Sequence, residues 1–257
     1  MFSKIYFDTY TSLLDSDIEA DFSRIAAIEL SQENFMFYTA VSVMSSSRIE
    51  GETLEIDSYL KYKIQNVKYL KTLTEKPNDL YKAYEFAKNN TLTRTRFLKA
   101  HKIASKHLLP VSKRGEMRKG NMIIVDSNTN RVQYEEASSD KVQQEFDKFW
   151  MALQKLLKQQ MTLSEIFYYA AFIHLVFVKI HPFNDGNGRT GRLLEKWFLA
   201  AKLGERAWYI PSEKYYYDNL KNYYKSLALV GLFFDELDYA KSLQFLLMLP
   251  QAIRLNA

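Results

Sequence analysis

The sequence predicts a mainly α-helical fold with one small β-hairpin. Only 8 glycines and 5 prolines occur among the 257 residues, so long segments run without a residue that interrupts a helix. Apolar residues recur at helical spacing, and 47% of the chain is hydrophobic, which is ample for a buried core. Residues 121–134 differ, because they contain two short β-prone stretches around a turn.

The helices are placed by apolar spacing and by residues that start or stop helices. Ser31 is a suitable N-cap for the second helix, and Gly204 follows the last residue of the eighth. The predicted ranges are 17–30, 32–50, 54–74, 78–89, 93–108, 139–158, 162–180, 187–203, 213–230 and 235–249.

Composition narrows the classes of function. The net charge of +5 suits an anionic ligand such as a nucleotide, but no basic stripe is evident, so nucleic acid is an unlikely partner. The absence of cysteine excludes disulfides, thiolate catalysis and cysteine metal sites. The first residues lack the apolar region of a signal peptide. Residues 166–180 are apolar but are interrupted by His174 and Lys179, and they are short for a membrane span. We therefore expect a soluble, cytoplasmic protein.

Residues 181–192 read His-Pro-Phe-Asn-Asp-Gly-Asn-Gly-Arg-Thr-Gly-Arg and join two apolar helical segments. Gly186, Asn187 and Gly188 expose backbone N–H groups at the start of the second helix, where the helix dipole favours an anion. The alternative is a simple turn. The position before a helix favours a phosphate-binding loop.

Two arginines follow on the first turn of that helix. Arg189 and Arg192 are three residues apart, so they lie on neighbouring parts of one face. A cation at this end opposes the helix dipole, which indicates an anionic partner, and guanidinium groups suit phosphate oxygens. The alternative is a pair of solvated arginines.

A base and a carboxylate complete this stretch. His181 can accept a proton near neutral pH, so we interpret it as a general base, the alternative being a structural loop histidine. Pro182 biases His181 towards an extended backbone. Asp185 offers the hard oxygen that Mg²⁺ prefers, although Asp is also a common N-cap. The other histidines stand outside the motif, and we interpret them as structural or exposed: His101, His107 and His174.

The stretch resembles the Fic family signature His-x-Phe-x-(Asp/Glu)-Gly-Asn-Gly-Arg-x-x-Arg and matches every specified position. Residues 170–180 resemble the helix that precedes this signature. Residues 115–134 resemble the family's flap, which holds a target segment by strand addition. The resemblance therefore implies target binding by Met122, Ile123 and Ile124. The family's proline-rich stretch after the flap is replaced by residues 135–138, Glu-Glu-Ala-Ser.

The resemblance implies a protein adenylyltransferase that transfers AMP from ATP, with Mg²⁺, to a Tyr, Thr or Ser hydroxyl of a target protein. His181 would be the base, Asp185 the metal ligand and Arg192 the γ-phosphate ligand. Glycine at position 188 differs from the Lys usual in the kinase-like Doc branch. Tyr223 and Tyr224 resemble a pair lining the family's adenosine pocket, with a packing role as the alternative. Family proteins also modify themselves and often dimerise.

A second motif implies regulation. Residues 46–51, Ser-Ser-Arg-Ile-Glu-Gly, match the family's inhibitory pattern (Ser/Thr)-x-x-x-Glu-(Gly/Asn), with Ser46 and Glu50 at its specified positions. A capping box at Ser47 is disfavoured, because the apolar run precedes it and Gly51 suits a helix end. The resemblance pairs Glu50 with Arg192, which would stop the arginine from holding a phosphate.

We expect three parts: an N-terminal helical region at 1–90 with an inhibitory helix near 32–51, a catalytic core at 91–205 with flap 118–134 and motif 181–192, and C-terminal helices at 206–257 that complete the nucleotide pocket. Alternative functions are removal of AMP, transfer of another phosphate-containing group, and non-catalytic nucleotide binding. A DNA-binding module ranks lower, because no recognition helix is evident.

Overall fold

The computed structural model describes residues 2–14, 17–125 and 132–256. Within these residues the fold is mainly helical, as predicted. The helices are α1 (Phe7–Ser12), α2 (Ile18–Ala26), α3 (Gln32–Ile49), α4 (Ile56–Ile64), α5 (Lys71–Lys88), α6 (Arg94–Ala104), α7 (Val142–Lys158), α8 (Leu163–Ile180), α9 (Asn187–Leu203), α10 (Ser212–Asp218), α11 (Leu220–Leu229), α12 (Leu243–Leu246) and α13 (Met248–Ala252); the strands are β1 (Ile123–Val125) and β2 (Val132–Glu135).

Helix α8 lies at the centre of the core. A capping box between Thr162 and Glu165 begins it, and almost every side chain along it is buried. Helix α9 packs closely against it, because Gly191 has no side chain; a Cβ there would lie 2.9 Å from Val178 Cγ1. By length and composition alone α8 could cross a membrane, contrary to the sequence expectation, but 89% of it is buried inside this fold, as in a core helix.

The two strands pair antiparallel, with Ile124 opposite Tyr134. The predicted turn between them, residues 126–131, lies outside the described residues. The far end of β2 is tied to the helical core at two points. The Tyr134 hydroxyl donates to the Lys179 carbonyl (2.8 Å), and the Glu135 N–H donates to the Leu232 carbonyl (2.8 Å). The strand that precedes residue 136 is therefore anchored beside the end of α8.

Some predicted helix boundaries were wrong. The helix predicted over 54–74 ends at Ile64, and Asn66 takes a left-handed conformation (φ 56°). The next helix starts at Lys71 and runs through Pro77, although proline removes one helical hydrogen bond and usually marks a boundary. The stretch 213–230 divides into α10 and α11, and 235–249 consists of short helical turns. Helix α1 was not predicted.

Candidate active site

His181 is the C-cap of α8, and its backbone is left-handed (φ 53°, ψ 59°) rather than extended as predicted. Its N–H still donates to the Phe177 carbonyl (3.0 Å), so the residue closes the last turn of α8 before Pro182. A left-handed conformation is costly for a residue with a Cβ and persists only where neighbours hold it. Arg118 does so, because its Nε donates to the His181 carbonyl (2.7 Å) and its N–H to that of Pro182 (2.9 Å).

The His181 imidazole is arranged to accept a proton. Its Nδ1 lies 3.2 Å from the Val178 carbonyl oxygen, which can only accept, so Nδ1 carries the hydrogen and Nε2 keeps its lone pair. Burial lowers the pKa of His181 to about 4. The ring is therefore neutral at neutral pH, with Nε2 as the free base.

The loop after His181 is supported by His101, which the sequence analysis interpreted as structural or exposed and which the structure shows to be structural. His101 is buried and stacks on the Phe183 ring, with centroids 3.6 Å apart. Its Nδ1 accepts from the Gly115 N–H (2.9 Å) and its Nε2 donates to the Asp185 carbonyl (3.0 Å). Burial lowers the pKa of His101 to about 4, which keeps this tautomer neutral.

The first N–H groups of α9 are suited to bind an anion. Gly186 precedes the helix with φ 78°, and no side chain in the described part of the chain caps it, so the first N–H groups stay available. Asn187 can donate only its backbone N–H to an anion, because its side-chain amide is already bonded. The amide oxygen accepts from the Phe183 N–H (2.9 Å), and the amide nitrogen donates to the Phe183 carbonyl (2.8 Å). Gly188 is the next residue of this turn.

Asp185 is exposed and does not cap the helix. One of its oxygens accepts from the Gly186 N–H (2.6 Å). Among the described residues no cluster of three or more His, Asp or Glu side chains could hold a metal. The donor set is therefore one hard carboxylate beside an anion site. This set fits Mg²⁺, which commonly takes one or two carboxylates together with water and substrate phosphates.

The structure places Arg192 in contact with the end of α3. Its side chain is 1% exposed, and its Nη2 lies 2.6 Å from Glu50 Oε1. Ser46 accepts two further hydrogen bonds from Arg192. Its hydroxyl oxygen accepts from Nε (2.8 Å), and its carbonyl oxygen accepts from Nη2 (3.0 Å). Burial alone would raise the pKa of Glu50, but the guanidinium groups of Arg192 and Arg189 outweigh it and hold the pKa below its usual value. Gly51 ends α3 with φ 89°.

A second glutamate, which the sequence analysis did not identify, holds the other arginine. Glu52 Oε1 lies 3.0 Å from Arg189 Nη2 and 3.0 Å from Lys76 Nζ of α5. Arg189 is almost fully buried in this contact. The segment that ends α3 thus supplies one carboxylate to each arginine of the loop. The only sequence signal for Glu52 is its position two residues after Glu50.

The two tyrosines from α11 lie beside the same contact. The Tyr223 hydroxyl is within 3.3 Å of Arg192 Nη1 and 3.1 Å of His174 Nε2, inside the core. The Tyr224 hydroxyl donates to the Ile49 carbonyl (3.0 Å). On the strand side, Met122 is half-buried and Ile123 is 54% exposed. The side chain of Ile124 lies outside the described residues.

Replacing Gly188 by alanine is expected to push Glu50 away from Arg192. A Cβ at this position would overlap Glu50 Oε1 and lie 3.3 Å from Arg192 Nη1. The carboxylate is the end of a flexible chain, so it moves and the ion pair breaks. We expect the free energy of unfolding to fall by about 1–3 kcal/mol, measured by urea denaturation.

The matched comparison is the same change in a Glu50→Gly background. There the obstacle is gone, and alanine is the better helix former by about 0.5–1 kcal/mol. Gly188→Ala should then be neutral or stabilising. Equal losses in both backgrounds would mean that Glu50 does not occupy the space over Gly188.

These features define a helical protein that presents an anion site, at a helix N-terminus, beside a neutral base. Residues 91–199 match the sequence profile of the Fic/DOC family. This region, which contains the loop at 181–192, is therefore similar to Fic/DOC proteins. No match was found among curated proteins.

Solved structures with the same fold come from several organisms. A Fic family protein from Desulfovibrio desulfuricans G20 has a TM-score of 0.79 at 20% identity, over 99% of this chain and 74% of that one. A Fic domain containing signaling protein from Bacteroides thetaiotaomicron has a TM-score of 0.68 at 18% identity, over 94% of this chain and 95% of that one. Fic-1 from C. elegans has a TM-score of 0.64 at 17% identity, over 97% of this chain and 71% of that one. At these identities the likeness shows the fold alone.

Proposed function

We propose that this protein is an adenylyltransferase that transfers AMP from ATP to a hydroxyl of a target protein. The observation that carries the proposal is the unprotonated His181 Nε2 within one loop of an uncapped helix end that bears two arginines. The match of residues 91–199 to the Fic/DOC profile supports the same reaction class. The target is a Tyr, Thr or Ser side chain, and this chain itself is one candidate.

In the proposed reaction the phosphates of ATP lie over the first turn of α9, against Arg189 and Arg192. Asp185 would hold Mg²⁺, which neutralises phosphate charge when bound. His181 Nε2 takes the proton of the target hydroxyl, whose oxygen forms a bond to the α-phosphorus. The bond from the α-phosphorus to the bridging oxygen breaks, and pyrophosphate leaves with that electron pair. Positioning and charge stabilisation supply most of the rate.

We further propose that the resting protein is autoinhibited. Glu50 lies over the first turn of α9 and against Arg192, where a phosphate would bind. Glu52 forms an ion pair with Arg189. A carboxylate at a helix N-terminus is favourable, so it competes directly with the phosphates. ATP has to displace at least the Glu50 carboxylate before both arginines can hold it.

Intact-mass analysis tests the function. The Glu50→Gly protein is incubated with Mg²⁺ and, in parallel, with ATP, GTP, CTP or UTP. We expect an added mass equal to AMP from ATP, and none without Mg²⁺. A different added group would assign another transfer reaction to the same site. Binding of ATP with no adduct on the chain or on added lysate proteins would instead favour a nucleotide-binding regulator.

Removal of AMP is the second candidate for the same site. Glu50 lies close enough to the loop to orient a water instead of a protein hydroxyl. It is tested by incubating an AMP-modified protein with the wild type and with Glu50→Gly. Loss of AMP that requires Glu50 would favour removal over addition.

A further inference from the structure

Glu136 carries a buried carboxyl group beside His181, and this carboxyl has no role in the reaction proposed above. It directly follows β2, its side chain is fully buried, and its Oε1 lies 3.9 Å from His181 Nε2. Within the described residues neither carboxyl oxygen has a hydrogen-bond partner. Burying such a group without donors is costly, so its retention beside a base indicates a use outside the resting state.

The two nearest cations direct their N–H groups elsewhere. Arg118 donates to the carbonyl oxygens of His181 and Gly120 and to that of Ala137. Lys179 Nζ donates to the Gly231 carbonyl (2.9 Å), and burial lowers the pKa of Lys179 to about 8. Burial correspondingly raises the pKa of Glu136. Among the described residues, the carboxyl therefore has charge near it but no donor from another residue directed at it.

Protonation of His181 would supply the missing partner. When Nε2 accepts a proton, a cation forms 3.9 Å from Glu136 in a setting from which water is largely excluded. Arg118 opposes this protonation by charge repulsion, whereas Glu50 favours it. Once Glu50 withdraws, as the proposed activation requires, the Glu136 carboxyl still lies 3.9 Å from Nε2.

We propose that Glu136 is a positioning residue that stabilises the imidazolium formed on His181 during transfer; this rests on the proposed function. The proton passes from the target hydroxyl to Nε2 while the oxygen–phosphorus bond forms. Glu136 makes and breaks no covalent bond. Because it follows β2, which pairs with β1, its place beside His181 also depends on the strand pair whose β1 residues are expected to hold the target.

The test replaces Glu136 by glutamine in the Glu50→Gly protein. The charge is lost while the shape is kept, so we expect the proton affinity of the His181 imidazole, followed by NMR, to fall about tenfold. The kcat for transfer should fall about ten- to a hundredfold with an unchanged KM for ATP. Glu136→Asp, which keeps the charge, should recover much of both. Glu135→Gln, on the exposed face of β2, is the matched control and should change neither.

The two readouts separate the two proposals. An imidazole with the same proton affinity in the folded Glu136→Gln and parent proteins would overturn the role of Glu136. Should the Gln variant fail to fold, the Asp variant decides, because a proton affinity as low as that of a Glu136→Ala protein would contradict a charge effect. If the parent Glu50→Gly protein transfers no AMP but Glu136→Gln still lowers the proton affinity of the His181 imidazole, the proposed function would be overturned. The pairing of Glu136 with His181 would stand.

Discussion

Replacing Glu50 by glycine is expected to increase AMP transfer at least about tenfold. The change removes the carboxylate 2.6 Å from Arg192 Nη2 and leaves the guanidinium, which is almost fully buried, free for a phosphate. A tenfold gain needs only about 1.4 kcal/mol, whereas removing one partner of a buried ion pair usually costs about 3–5 kcal/mol. Incorporation of labelled AMP, measured as an initial rate, gives the effect directly.

The same change should lower the stability of the protein without nucleotide. Arg192 loses its counter-charge but stays buried, so we expect about 1–3 kcal/mol less free energy of unfolding. Added ATP and Mg²⁺ should then raise the melting temperature of the variant more than that of the wild type. Glu55→Gly is the control, because Glu55 forms an exposed pair with Arg48 and should alter neither rate nor nucleotide response. A Glu50→Gly protein that is no faster than the wild type would remove the inhibitory role.

Replacing His181 by alanine is expected to abolish transfer while largely sparing ATP binding. General-base catalysis contributes about 10²–10⁴-fold. The other imidazole at the loop, that of His101, has both ring nitrogens engaged in hydrogen bonds and has none free to act as a base. The phosphate ligands proposed from α9 are untouched by the change. Activity is measured in the Glu50→Gly background, and ATP affinity by calorimetry.

His107→Gln serves as the control for this prediction. His107 is partly exposed and bonds Asp79 rather than a residue of the loop, and glutamine keeps a donor for that carboxylate. It should leave the transfer rate near that of the parent. If His181→Ala retained more than about a tenth of the parent rate, His181 would not be the base.

The sequence predicted the loop and its helix well because their determinants are local. Gly186 and Gly204 bound α9 at the predicted residues, and Ser31 caps α3 as expected, with its hydroxyl accepting from the Asn34 N–H (3.1 Å). The contact of Glu50 with Arg192 joins residues 142 positions apart, and only a motif at each end made it predictable.

The supporting residues could not be predicted in this way. His101 meets the loop from α6, and Glu136 meets His181 from the end of β2, and neither lies in a spacing pattern that indicates a site. The backbone of His181 was mispredicted because Pro182 restricts the helical region, whereas the helix-ending bond to Phe177 and the bonds from Arg118 select the left-handed one. These are tertiary effects, which appear only when the elements are packed together.

The affinity for ATP in the presence of Mg²⁺, measured by calorimetry on the wild type and on Glu50→Gly, tests most directly whether the end of α3 controls the loop at 181–192. If Glu50 occupies the place of a phosphate, the variant should bind ATP at least about tenfold more tightly. Equal affinities would show that Glu50 and ATP do not compete, and would contradict the account of how this site is held inactive.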